Sequence, residues 1–269
     1  SIMEWSPDNA GFLIRVGRWR KRQICSMLLL VLMTLLSGHP KEALAVAETL
    51  ELVKSRILAA GSQPTVSTVR LVAVSKFIPA EVINEAHMAG QVDFGENYVQ
   101  ELLDKAKVLP DSIRWHFIGR LQSNKVKKLL EVPNLVSIET VDSLNLAKRI
   151  AAGVLTATRS STLDLSIQVD TSNEETKGGV LPDDAIGLAE GIMDLGSVRL
   201  AGLMTIGAPG DLSAFDRLRD LRAKMANHFQ VPEETFQWSM GMSGDFEEAI
   251  KRGATSVRVG SSIFGARPV

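Results

Sequence analysis

One arrangement constrains this chain more than any other feature. From Leu71 onward a short apolar or β-branched run, a turn and a helix-patterned stretch follow one another repeatedly. Strands are expected over 71–76, 92–94, 113–118, 135–139, 163–169, 198–206, 236–240 and 256–259. After most of them, apolar residues recur at spacings of three and four. Val99, Leu102, Leu103 and Ala106 are one such stripe, and Phe215, Leu218, Leu221 and Met225 are another. Short connections between alternating strands and helices require parallel strands joined by right-handed crossovers. Eight such units predict a single-domain α/β fold, a closed (β/α)8 TIM barrel. An open doubly wound sheet is the alternative. It usually carries a glycine-rich fingerprint after its first strand, where this chain has Lys76-Phe77-Ile78-Pro79.

The beginning of the chain does not fit this pattern. Arg15, Arg18, Arg20, Lys21 and Arg22 precede an apolar run from Ile24 to Leu36, followed by Gly38, Pro40 and Ala43-Leu44-Ala45. That order is signal-like, and the run is short for a membrane span. Residues 1–45 are therefore set apart as an atypical extension, either an export signal or no part of the working protein. Residues 46–269 are assigned to the barrel, with a first helix over 45–60. A net charge of −1 gives no electrostatic footprint for nucleic acid or an anionic membrane. The single cysteine, Cys25, excludes an internal disulfide framework and a cysteine-rich metal site.

In a parallel barrel the working face is the carboxyl end of the strands. Lys76 ends the first strand and Asn97 follows the second. His116 lies in the third, Met204 in the sixth, Ser239-Met240 at the end of the seventh and Arg258 in the eighth. Each has a plain structural explanation: a snorkelling lysine, a hydrogen-bonded core histidine, a packing methionine. Two features resist it together. The turns Ser239–Ser243 and Gly260-Ser261-Ser262 both precede helices, and their amides and hydroxyls suit a phosphate. Arg258 alternates with Val257 and Val259, so it points into the barrel, where an always-charged guanidinium needs partners. An amine suited to Schiff-base chemistry, a phosphate cup and an inward arginine together suggest pyridoxal 5′-phosphate (PLP).

The sequence also resembles the YggS/PROSC family of PLP-homeostasis proteins. The segments that carry the resemblance are LVAVSK (71–76), FGENYVQE (94–101), WHFIGRLQSNK (115–125), IETVDS (138–143), QVDTSNEETKGG (168–179), GLMTIG (202–207) and SMGMSGDFEEAIKRGATSVRVGSSIFG (239–265). It implies a barrel like the N-terminal domain of alanine racemase, with PLP held as a Schiff base on Lys76. Arg258 would face the pyridine nitrogen. Ser239, Ser243, Gly260 and Ser261 would surround the phosphate, Asn97, His116 and Met204 would line the ring pocket, and Met240 would also belong to the cofactor-binding residues. It further implies a cytoplasmic monomer that carries or buffers PLP for apo PLP-dependent enzymes, with no metal and no assigned catalytic residue. The competing activity is amino-acid racemisation. That needs a second acid/base group across the cofactor plane, and the chain's single tyrosine, Tyr98, sits beside Asn97 rather than in an added domain. Arg120 departs from the family, standing where proline or histidine is commoner.

Overall fold

The computed structural model describes residues 40–61, 69–157, 162–173 and 178–265. The basic and apolar runs of the signal-like segment lie outside them, whereas its last part, from Pro40, falls in the first helix. Helix α1 (Pro40–Ala60) begins earlier than its apolar stripe, of which Val46, Leu50, Val53 and Ile57 are buried. The strands are β1 (Arg70–Val74), β2 (Asp93–Glu96), β3 (Arg114–Phe117), β4 (Leu135–Val141), β5 (Leu163–Gln168), β6 (Val198–Met204), β7 (Gln237–Ser239) and β8 (Ser256–Val259). Between them run α2 (Ala80–Met88), α3 (Val99–Ala106), α4 (Val126–Leu129), α5 (Leu144–Thr156), α6 (Ala185–Met193), α7 (Ser213–Phe229) and α8 (Phe246–Lys251), and α9 (Ser261–Phe264) closes the series.

Each strand pairs in parallel with the next, and β1 pairs with β8 through Val72↔Arg258 and Ala73↔Val259. The sheet is therefore a closed barrel, as the alternation predicts, and not an open one. Because α9 is only one turn long, α1 covers the β8–β1 side. Thr49 Oγ1 donates to the carbonyl of Ile263 at 2.7 Å, and Arg56 pairs with Glu247 at 2.7 Å while lying over the Phe246 ring. Among the described residues, no helix is long and apolar enough to cross a membrane.

The apolar core lies between barrel and helices, where Phe94, Trp115, Phe117, Leu135, Leu165 and Phe246 are fully buried. The barrel interior is different. His116, Ser137, Glu139, Ser166, Gln168, Ser239, Ser256 and Arg258 are all buried polar groups. The polar face of β5, which alternation separates from its apolar face, thus points into the barrel and not to solvent. Buried charges persist only when paired and hydrogen-bonded. Their partners are what position the site.

Candidate functional site

Strand β1 ends at Val74, so Lys76 sits two residues beyond it, in the turn Ser75-Lys76-Phe77. That turn is clamped from below. The Lys105 ammonium, on α3, donates to the Ser75 carbonyl at 2.7 Å, to Glu96 Oε1 at 2.7 Å and to Glu101 Oε1 at 2.6 Å. Ser75 Oγ donates to Glu96 at 2.7 Å, and the Phe77 N–H donates to Glu101 at 2.6 Å. Phe77 can therefore hold a left-handed φ of 65°, a conformation side chains disfavour. Burial raises the Glu96 pKa above its ordinary value, with Lys105 pulling the other way.

Above this turn lies a cavity of about 340 Å³. Lys76, Asn97, Met204, Ser243, Arg258, Gly260 and Ser261 line it, with Ile118, Ile206 and Met242 supplying apolar wall. The phosphate-cup turns meet here. Ser243 Oγ accepts from the Gly260 N–H at 3.1 Å and the Ser262 N–H at 3.4 Å, which leaves its own hydrogen to donate. Glycine at 260 lets the end of β8 lie against β1, since a Cβ there would stand 3.2 Å from Val74 Cβ. Asn97 Oδ1 is buried without a hydrogen-bond partner among the described residues.

Three of the residues expected in the pocket lie elsewhere. Ser239 is buried beneath Arg258: it accepts from the guanidinium Nη1 at 2.7 Å and donates to Glu139 Oε2 at 2.5 Å. Met240, the next residue, turns outward into the core between barrel and helices. His116 is a layer lower, level with Gly95 and Ser137. Its Nδ1 faces Glu139 at 2.9 Å and its Nε2 faces Asp93 at 2.8 Å. Carboxylates only accept, so both ring nitrogens carry hydrogen and His116 is an imidazolium. Burial works against that charge, but the bonds to Asp93 and Glu139 outweigh it and raise the His116 pKa.

Arg258 completes the chain. Its Nη2 donates to the Thr205 carbonyl at 2.7 Å, and burial depresses its pKa against the pull of Glu139 and Asp245. A continuous line therefore runs from Asp93 through His116, Glu139 and Ser239 to a guanidinium at the cavity. Sequence reading did not find Asp93, Glu139, Glu96, Glu101 or Lys105. The one local signal was the four-residue spacing of Glu101 and Lys105 on a helix.

The family model for the N-terminal domain of alanine racemase matches residues 55–268. The pyridoxal phosphate homeostasis protein of Schizosaccharomyces pombe is 46% identical over 225 residues, spanning 81% of this chain and 92% of that protein. This chain belongs to the pyridoxal phosphate homeostasis protein family. The family's human member is 45% identical over 210 residues, covering 74% of this chain and 76% of its own length. Among solved structures, PipY of Synechococcus elongatus, determined with PLP bound, is 35% identical with a TM-score of 0.70, covering 82% of this chain and all of PipY. Alanine racemase from Corynebacterium glutamicum, at 16% identity and a TM-score of 0.62, shares the fold. The resemblance drawn from the motifs is thus borne out for family and fold.

Proposed function

We propose that this chain binds PLP in the cavity above Lys76 and carries it for apo PLP-dependent enzymes. When bound, PLP supplies an aldehyde that an amine can capture and a pyridine ring that can draw electrons. The observation that carries the reading is that Lys76 and Arg258 line one cavity together with the Ser243, Gly260 and Ser261 turns. Lys76 provides the amine. The Ser243 hydroxyl and the glycine–serine turn offer donors to a phosphate, and a buried, always-charged Arg258 disfavours a second positive charge nearby. Met204, Ile118 and Ile206 give the site an apolar wall. The PLP-bound PipY structure and the names of the curated relatives support the same cofactor.

Carrying is favoured over racemisation by the position of Tyr98. It is 50% exposed, packs on Phe77 with ring centroids 5.2 Å apart, and does not line the cavity. A two-base racemisation has no second base from it. Borohydride reduction of PLP-treated protein, followed by peptide mass analysis, tests the attachment. The label is expected on Lys76 and is expected to vanish in Lys76→Ala; wild-type protein that takes up no PLP overturns the reading. Restored activity in an apo PLP enzyme mixed with the loaded protein is the result expected of a carrier, and substantial amino-acid racemisation would count against it.

A further inference from the structure

A second cavity opens beside the first and shares Asn97 with it. Its volume is about 940 Å³, within the range of clefts that take small organic ligands. The loop that forms one wall is rigidly seated. A Cβ on Gly119 would stand 2.1 Å from the Asn97 carbonyl oxygen, and the Gly119 carbonyl accepts from Thr140 Oγ1 at 2.6 Å. The backbone leading to Arg120 is therefore held from both sides.

Three cations, Arg120, Lys125 and Lys128, line this cleft against one carboxylate, Asp142. Several exposed or half-exposed cations of the barrel are paired, Arg56 with Glu247, Arg114 with Asp93, Arg199 with Asp164 and Arg252 with Glu248. Lys127, Lys148, Arg149 and Lys224 stand exposed on helix faces without such a pair among the described residues, and they do not line this cleft. In the cleft, Lys128 donates to the neutral Gln100 amide at 2.6 Å, and Asp142 accepts from the Ser143 hydroxyl. Among the described residues, none of the three cations has a carboxylate within ion-pair distance. The thirteen-residue α5 adds to the positive field, because its cap Ser143 also lines the cleft. Like charges gathered at a concave surface repel and stabilise nothing in the fold by themselves. The half-exposed ring of Tyr98, backed by Phe77, stands among the lining residues.

We infer that this cleft binds a phosphorylated small molecule at a site distinct from the cofactor cavity. The phosphate meets Arg120 and Lys125, and a planar ring, where the ligand has one, stacks on Tyr98. Calorimetric titration with ATP and with tripolyphosphate tests this, run on the untreated protein and on protein carrying one equivalent of PLP fixed by borohydride reduction with the excess removed, so that the outcome stands apart from the PLP reading. One equivalent of each is expected to bind whether or not PLP is present. The double variant Arg120→Gln/Lys125→Gln, at two exposed positions, is expected to weaken both by about tenfold, with the cofactor absorbance unchanged. Tyr98→Ala that weakens ATP alone assigns a nucleoside phosphate, and one that weakens neither assigns recognition by phosphate only. The proposal is overturned if neither probe binds, if the double variant binds as well as wild type, or if PLP fixed in the first cavity abolishes binding of the probe.

Discussion

Two buried ion networks support the cavity above Lys76, and they hold their residues in different ways. The Lys105 network grips backbone: the Ser75 carbonyl directly, and the Phe77 N–H through Glu101. It fixes the two peptide groups that flank Lys76. The His116 network grips a side chain. Arg258 is held through Ser239, Glu139, His116 and Asp93, drawn from β8, β7, β4, β3 and β2. The capture of a carbonyl proposed for Lys76 asks for a fixed backbone beneath the amine. A cation that only sets the field of the site needs its charge fixed in place.

Removing the central charge of the side-chain network is expected to have the largest effect. Glu139→Ala leaves the His116 imidazolium and the Arg258 guanidinium buried with no carboxylate between them. The expected cost is about 3–5 kcal/mol in urea unfolding. A loss under about 1 kcal/mol would show that the line from Asp93 to Arg258 is not energetically continuous.

Lys105→Met breaks the other network and is expected to cost less, about 2–3 kcal/mol near neutral pH. Burial already raises the Glu96 pKa, so a Glu96 that loses its ammonium partner can take up a proton. An acid whose folded pKa is raised contributes its stability below the unfolded value and loses it as pH rises through the folded one. The gap between Lys105→Met and wild type should therefore widen from about pH 5 to about pH 8. A gap that narrows instead would mean that Glu96 is not the group left stranded.

The difference between the networks also explains what could be read from the sequence. Period-two and period-three-to-four patterning carried the barrel, and with it the placing of Lys76 and Arg258 at one end. Alternation says whether a strand residue points in or out, but not at what depth. His116 and Ser239 do point inward, yet they lie in layers below the cavity, and the register shifts between β3 and β4 and between β4 and β5 make depth harder still to infer. Met240 follows the last residue of β7 and faces outward. Glu96 lies beyond the strand expected over 92–94, whereas β2 extends to it and ends there. Lys105 and Glu101, four apart on a helix, look like a solvated pair. Only the packing of α3 against the β1–β2 ends reveals that Lys105 is buried.

His116→Gln is expected to have the smallest effect and to distinguish the networks most sharply. Glutamine keeps a donor for one carboxylate but carries no charge. At about pH 6 the variant should lie about 1–3 kcal/mol below wild type. The His116 pKa is raised above 6.5 in the folded chain, so its contribution is present in full below that value and lost as pH rises through the folded one. Wild type should then approach the variant by up to about 1.4 kcal/mol per pH unit across that window. The gap narrows with rising pH, opposite in sign to the Lys105→Met gap. Thermal or urea unfolding of the three proteins across one pH series reads both slopes. Equal gaps for His116→Gln at low and high pH would mean that the ring between Asp93 and Glu139 is not an imidazolium, and that Arg258 is held by a neutral bridge.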